Sequence, residues 1–228
     1  MYLFIHKYLM KFLNNEELTR SIFADPSKID WIELDIPFDT SKWAEEAKLI
    51  EPHYVKHRGA ELHDSWTSCC LHGLGVDKTN GYEFYQNTDT GYDWTYLAEL
   101  APTITQFWKE LFPAESYKRI RFMKLGAGGQ IHMHRDCEPE DLNGLDPFEH
   151  DLALNLAIVH PDECIMTVDS KQVPWKTGMA ILLNVSKDHE VVNNSPYNRI
   201  HMIAHLKVGN RKEEFCKLVA DSWRKRND

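Results

Sequence analysis

Short runs in which apolar and polar residues alternate, with turn residues between them, occupy most of the chain after Pro113. Such alternation is typical of β-strands that bury one face. The pattern predicts strands over residues 119–125, 130–136, 152–160, 164–168, 172–175, 179–184, 189–192 and 199–208. Eight short strands in about ninety residues predict a small double-sheet jelly roll.

Apolar residues at helical spacing lie on either side of these strands. Residues 41–50 predict a helix that Pro52 ends, and residues 94–111 predict another with a break at Pro102. Residues 212–225 predict a closing helix with one apolar face. The expected fold class is therefore mainly β with flanking helices.

The length of 228 residues is enough for one well-buried core, and we expect a single domain. It would consist of a largely helical or irregular part over residues 1–113, a β core over 114–208 and a C-terminal helix over 209–228. Within the first part, residues 1–13 predict a buried first element, and residues 57–86 predict irregular structure with short strands.

Composition narrows the classes of partner. The formal net charge of -9 and the pI of about 5.7 argue against nucleic acid, whose binding usually needs a basic surface. The opening apolar stretch is too short to span a membrane and lacks the pattern of a secretory signal. Five cysteines form no C-x-x-C pair, which indicates a reducing compartment. We expect a cytoplasmic protein, and no pattern indicates its oligomeric state.

The most informative chemical pattern is His134 and Asp136, with His189 much later in the chain. Two residues apart on a strand, His134 and Asp136 should project from the same face and reach one ion. A distant His189 would complete a set of two imidazoles and one carboxylate. This set leaves about three positions of an octahedral metal open and points to non-haem Fe(II) that activates oxygen.

Arg199 follows His189 by ten residues and opens the last predicted strand. Its planar fork of donors suits the far carboxylate of a keto acid bound to the metal. Strand alternation puts His201 on the face of Arg199 and His132 on the face of His134. Both are predicted to border the substrate, and a hydrogen-bonded core histidine is the alternative for His132.

The run 119–205 resembles the double-stranded β-helix core of the 2-oxoglutarate and Fe(II)-dependent oxygenases. It is most similar to the aspartyl/asparaginyl β-hydroxylase branch, which includes bacterial proline hydroxylases. The segment Phe-Met-Lys-Leu-Gly-Ala-Gly-Gly-Gln-Ile at 122–131 resembles the lead-in strand and glycine-rich turn of that branch. The segment His-Glu-Val-Val-Asn-Asn-Ser at 189–195 resembles its distal-ligand segment, and Arg199 matches its 2-oxoglutarate arginine.

The resemblance implies a cupin-like jelly-roll fold and a dioxygenase. Fe(II) would be held by His134, Asp136 and His189, and 2-oxoglutarate would be bound by Arg199 with Asn155 nearby, with O2 as the oxidant. The reaction would hydroxylate an unactivated carbon of a free amino acid or of a peptidyl side chain of the Asp, Asn or Pro kind. Vertebrate-type members carry a non-ligating residue where Asp136 stands, so the chain is closer to the proline-hydroxylase-like members.

Two other classes of function stay open. Gly126, His132, His134 and Glu138 have the spacing of the first metal-cupin motif, which with His189 could bind or isomerise a small metabolite without a keto acid. The spacing around a second cupin motif does not fit. A non-catalytic β-sandwich that serves as an interaction module is the other possibility. The acidic run 137–150 is either a lid that favours a cationic substrate or a solvated loop.

Overall fold

Two antiparallel β-sheets enclose an apolar core in the computed structural model of the chain, which describes residues 10–57, 65–79, 91–138, 146, 148 and 152–227. The main sheet contains β1 (Trp31–Leu34), β2 (Val55–Lys56), β3 (Trp66–Gly73), β4 (Asp93–Trp94), β5 (Ser116–Leu125), β7 (Leu152–Val159), β10 (Ala180–Leu183) and β12 (Arg199–Lys207). The minor sheet contains β6 (Gln130–His134), β8 (Cys164–Val168), β9 (Lys171–Gln172) and β11 (His189–Asn193).

The order of strands is that of a jelly roll. It is β1-β10-β7-β12-β5-β3-β2 in the main sheet, with β4 paired to β3, and β6-β11-β8-β9 in the minor sheet. From β5 to β12 the chain passes back and forth between the two sheets, so that, apart from the hairpin of β8 and β9, neighbouring strands in this range are not consecutive in sequence. This topology confirms the predicted double-stranded β-helix core.

Helices cover the outer face of the main sheet. They are α1 (Asn15–Phe23), α2 (Thr40–Ile50), α3 (Leu97–Leu100), α4 (Pro102–Gln106) and α5 (Lys212–Asn227), with 3-10 turns at Pro26–Lys28, Glu51–His53 and Gly209–Arg211 and a π turn at Phe107–Leu111. Trp43, Trp108 and Phe215 are buried in the core beneath them. Among the described helices, none combines the length and the apolar character that a membrane crossing requires.

The predicted helices are confirmed, except that the second begins at Leu97, because Trp94 belongs to β4. The carboxylate of Asp39 accepts a hydrogen bond from the backbone N–H of Lys42 at 3.0 Å and so caps α2. The predicted break at Pro102 separates α3 from α4, because proline has no N–H to donate to the preceding turn. Residues 1–9, which include most of the predicted first element, lie outside the described residues.

Several strand boundaries differ from the prediction. The predicted strand 172–175 is wrong beyond Gln172, because Val173 and Trp175 turn into the core between the sheets. Three of the described strands were not predicted, namely β1, β2 and β4, whereas β3 lies in the part predicted to be irregular with short strands. Nearly all of β3 is buried on both faces, so its sequence carries no alternation of apolar and polar residues.

Candidate metal centre

Two strands of the minor sheet hold the histidines of the predicted metal site. His134 and His189 are cross-strand partners in β6 and β11, and their ring centroids are 4.3 Å apart. Asp136 follows the end of β6, where its backbone N–H donates to the carbonyl of Val185 at 2.9 Å. One ligand atom from each of the three side chains lies within 4.8 Å of the others, with 3.7 Å between His134 Nε2 and Asp136 Oδ1.

Backbone carbonyls fix the tautomer of both histidines. His134 Nδ1 lies 2.7 Å from the carbonyl oxygen of His132, and His189 Nδ1 lies 2.9 Å from that of Lys187. Because a carbonyl only accepts, each Nδ1 carries the proton and each Nε2 keeps a lone pair for a metal. Burial lowers the pKa of His189, which keeps this ring in the neutral form that binds metal.

An extra residue in β6 changes the position of His132. Between the pairs His189 with His134 and Val191 with Ile131, two residues of β6, His132 and Met133, lie opposite the single residue Glu190 of β11. Strict alternation, which predicted that His132 shares the face of His134, therefore fails at this point. The side chain of His132 is exposed, and among the described residues it is not part of the group that could hold a metal.

An ion pair next to the predicted ligands connects the two segments that carry them. Arg135 Nε lies 2.7 Å from Asp188 Oδ1, and Arg135 Nη2 lies 3.0 Å from Asp188 Oδ2. This bidentate contact joins the residue between His134 and Asp136 to the residue before His189. The guanidinium of Arg135 lowers the pKa of Asp188. Because the pair is solvent-exposed, it adds little to the free energy of unfolding. Its main effect is to align the segment of His134 and Asp136 with that of His189.

Arg199 is buried at the start of β12 in the main sheet, with 3% of its surface exposed. Its neighbours on paired strands include Leu125, a member of the core between the sheets. Its Nε atom is buried and has no hydrogen-bond partner among the described residues. Burial lowers the pKa of Arg199 to about 10. A buried cation with an unused donor fits an anionic group, such as the carboxylate of a keto acid.

His201 lies beside Arg199, and its environment is that of a core residue. Its Nδ1 is 2.9 Å from Arg199 Nη2, and its Nε2 is 2.9 Å from Nδ1 of His160. Trp175 packs against the ring of His201 at 4.7 Å between centroids. Sequence reasoning placed His201 on the correct face but did not identify His160, which follows β7 and carries no distinguishing motif.

Asn155 also belongs to the space between the sheets. It is 3% exposed in β7, where its paired neighbours are Ile181 in β10 and Ile203 in β12. Ala157, two residues further along the same face, is part of the core between the sheets. The structure thus brings Asn155 to the inner face that also carries Arg199.

Aromatic residues of the part predicted to be irregular border the metal site. The ring of Trp66 in β3 lies 6.4 Å from that of His134 and 4.5 Å from that of His57. His57 Nδ1 is 2.8 Å from the hydroxyl oxygen of Ser68, and burial, reinforced by nearby arginines, lowers the pKa of His57 to about 2. No motif marks these positions in the sequence.

Asn193 sets the position of the ligand strand relative to Arg199. Its Nδ2 donates to the carbonyls of Leu125, Gly126 and Tyr197 at 3.3, 2.9 and 2.8 Å. Its backbone N–H donates to the carbonyl of Gly129 at 2.9 Å. The end of β11, the glycine-rich turn after β5 and the loop before β12 therefore meet at one fully buried amide.

Known proteins resemble this chain in sequence and in fold. The family model for aspartyl/asparaginyl beta-hydroxylase matches residues 38–207, whereas no curated protein sequence matches. A 2OG-Fe(II) oxygenase family oxidoreductase from Burkholderia pseudomallei has a similar structure, with a TM-score of 0.50 at 12% identity over 83% of this chain and 90% of that one.

Two further solved structures are also similar. A prolyl hydroxylase from Trichoplax adhaerens, in complex with a hypoxia inducible factor peptide fragment, has a TM-score of 0.51 at 9% identity over 89% of this chain and 97% of that one. A non-heme alpha ketoglutarate dependent carbocyclase from nogalamycin biosynthesis has a TM-score of 0.52 at 10% identity over 86% of each chain. The fold is that of the 2-oxoglutarate and Fe(II)-dependent oxygenases, and the family match over most of the chain shows that this protein belongs to the aspartyl/asparaginyl β-hydroxylase family.

Proposed function

We propose that the protein is a 2-oxoglutarate- and Fe(II)-dependent dioxygenase that hydroxylates an unactivated carbon of an amino acid or of a peptidyl side chain. The observation that carries this proposal is the convergence of His134, Asp136 and His189 within 4.8 Å. Two neutral imidazoles and one carboxylate are the ligand set of non-haem iron oxygenases. Bound Fe(II) would supply oxidation of a C–H bond by O2, coupled to conversion of 2-oxoglutarate into succinate and carbon dioxide.

Each ligand has a distinct role in this proposal. His134 and His189 would bind the ion through Nε2, since their Nδ1 atoms donate to carbonyls. Asp136 would add a negative charge, and it is held at the end of β6 by its backbone hydrogen bond to Val185. A set of three protein donors would leave positions on the ion for a keto acid and O2.

The cosubstrate would bind on the inner face of the main sheet. Arg199 would bind the far carboxylate of 2-oxoglutarate, because its buried Nε has no partner among the described residues. Asn155 would donate or accept a hydrogen bond near the metal, in keeping with its burial on the same face. Exclusion of water from this space strengthens the attraction between the guanidinium and a carboxylate.

The substrate would approach past Trp66, whose ring faces that of His134. An amino acid or peptide agrees with the family, and the acidic net charge of -9 is unfavourable for nucleic acid. In the acidic run 137–150, the carboxylate of Glu138 lies 3.7 Å from the guanidinium of Arg135. Glu140 of the same run lies outside the described residues. The expected cytoplasmic location remains part of the proposal and rests on the cysteine pattern.

The test is succinate formation on addition of Fe(II), ascorbate and 2-oxoglutarate, compared between Asp136→Ala and Glu138→Ala. We expect Asp136→Ala to lose Fe(II) binding and turnover, and Glu138→Ala to retain both, because Glu138 is outside the converging group. The opposite result, with the iron lost from Glu138→Ala, would favour a metal-cupin ligand set. Absence of succinate from the iron-loaded wild-type protein, with and without candidate amino acids, would refute the proposal.

A further inference from the structure

A line of buried hydrogen bonds runs from Arg199 into the minor sheet. Arg199 Nη2 lies 2.9 Å from His201 Nδ1, and His201 Nε2 lies 2.9 Å from His160 Nδ1. His160 Nε2 lies 2.8 Å from the backbone carbonyl oxygen of Cys164. All three side chains are at most 7% exposed. We refer to His160 and His201 as the buried histidine pair.

The carbonyl at one end fixes the direction of every hydrogen bond in this line. Because the carbonyl of Cys164 only accepts, Nε2 of His160 must donate, which leaves Nδ1 of a neutral His160 as an acceptor. His201 must then donate from Nε2, and its Nδ1 is free to accept from Arg199. This arrangement requires that both rings be neutral, and burial together with the charge of Arg199 lowers the pKa of each.

Packing prevents the two rings from turning away. Trp175 lies 4.7 Å from the ring of His201 in an edge contact and 6.0 Å from that of His160 in a stacked one. The indole N–H of Trp175 is itself directed to the sulfur of Met166 at 3.2 Å. The ring of His201, whose Nδ1 accepts from Arg199, is thus held by its hydrogen bond to His160 and by its contact with the ring of Trp175.

A neutral acceptor has a different effect on Arg199 from that of a carboxylate. Asp or Glu at position 201 would orient the guanidinium but would also neutralise it and compete with an anionic ligand. An imidazole acceptor fixes one Nη2 hydrogen and leaves the positive charge available. The buried Nε–H of Arg199, which has no partner among the described residues, is then a donor that remains for a ligand.

We propose that the buried histidine pair positions Arg199 for 2-oxoglutarate, so that His201 and His160 are positioning residues that act through the guanidinium without touching the metal. This inference deepens the proposed function and rests on it. It assigns to His201 a role different from the substrate contact that the sequence predicted. It also explains why His160, although remote from any motif, is buried with both ring nitrogens in hydrogen bonds.

The direct test measures 2-oxoglutarate affinity by calorimetry on Fe(II)-loaded protein under argon. We expect His201→Leu to weaken binding by about tenfold or more, since a hydrogen bond to a charged group is lost. His160→Leu should weaken binding by a smaller factor. His201→Asn should restore affinity to within about threefold of the wild type, because Oδ1 of Asn can occupy the place of Nδ1. Fe(II) affinity should stay unchanged in all three variants.

The matched control is His72→Leu, since His72 is 8% exposed and packs against Trp94, away from Arg199. It should keep its affinity for 2-oxoglutarate. An equal loss of affinity in this control, or wild-type affinity in His201→Leu, would overturn the proposal. Failure of the wild-type protein to bind 2-oxoglutarate would instead overturn the proposed function and this inference with it.

A second measurement does not depend on turnover or on folding of the variants. Nitrogen NMR of the wild-type protein with labelled histidine should show His160 and His201 protonated on Nε2 and not on Nδ1 at neutral pH. Protonation of Nδ1 in His201 would exclude acceptance of a hydrogen bond from Arg199 and would overturn the proposal.

Discussion

The variant Arg199→Met should be more stable than the wild-type protein and should fail to respond to 2-oxoglutarate. Methionine keeps an unbranched apolar side chain at this buried position but removes the guanidinium. In the absence of a ligand, that guanidinium donates to a neutral imidazole and has an Nε without a partner among the described residues. The variant therefore relieves an electrostatic cost that only an anionic ligand offsets.

The size of the effect follows from the burial of Arg199. Burial lowers its pKa from 12.5 to about 10. At about 1.4 kcal/mol for each pKa unit, the charged form costs the folded state about 3.5 kcal/mol. The variant also leaves Nδ1 of His201 without a donor, which costs about 1 to 2 kcal/mol. We expect a net gain of about 2 kcal/mol in the free energy of unfolding.

The assay is urea denaturation of the Fe(II)-loaded protein under argon, with and without 2-oxoglutarate. A ligand at 100 times its Kd should stabilise the wild-type protein by about 2.7 kcal/mol, and Arg199→Met should lack this increase. The matched control is Arg121→Met, because Arg121 donates Nη1 to the carbonyl of Thr79 at 3.0 Å and Nη2 to His205 at 3.3 Å. This control should keep its response to 2-oxoglutarate.

Two outcomes would refute the reasoning. If Arg199→Met loses more than about 1 kcal/mol of stability without ligand, the wild-type guanidinium is already compensated by the fold. If the variant keeps the stabilisation by 2-oxoglutarate, the carboxylate binds elsewhere. The first outcome concerns the energetics of the buried cation, and the second concerns its role.

Three further predictions concern the turn, the ion pair and acid stability. Gly129→Ala should lose about 1 to 3 kcal/mol in urea denaturation, because a Cβ there would overlap Ser65 Oγ and would lie 2.9 Å from the carbonyl oxygen of Gly126. Asp188→Asn should weaken Fe(II) affinity about two- to fivefold in a chelator competition, because it removes the charge that aligns Arg135; unchanged affinity would contradict this. Burial lowers the pKa of His72 to about 4. The unfolded state therefore binds a proton at this side chain below about pH 6.5, whereas the folded state does so only near pH 4. The free energy of unfolding should accordingly fall as the pH drops from 6.5 towards 4. Between pH 6.5 and 5 the wild-type protein should lose about 2 kcal/mol more than His72→Gln, and equal losses in denaturation curves would argue against this cause.

Much of the fold could be predicted from the sequence where one face of a strand is buried and the other is not. The strand Cys164–Val168 alternates in burial, and its predicted bounds are confirmed. The strand Trp66–Gly73 could not be predicted in this way, because helices cover one of its faces and the inner space of the roll covers the other. A local pattern carries no information about a strand that is buried on both sides.

Local spacing along the strands could predict only part of the arrangement of the site residues. The pattern of His134 and Asp136 predicted shared access to one ion, but Asp136 lies beyond β6 and is held there by Val185. Local spacing could not reveal the extra residue that moves His132 away from the site. Nor could it reveal the contact between His160 and His201, which are 41 residues apart and meet only when β7 pairs with β12.

The amide of Asn193 has a consequence for how the loop before β12 can change. Because one side chain bonds the carbonyls of Leu125, Gly126 and Tyr197, the ten-residue interval fixes the spacing between His189, the proposed metal ligand, and Arg199, the residue proposed to bind 2-oxoglutarate. Ordinary surface loops accept insertions at small entropic cost. An insertion here would shift Arg199 against the histidine strand, so divergence of this protein should preserve the length of that loop even where its exposed residues vary freely.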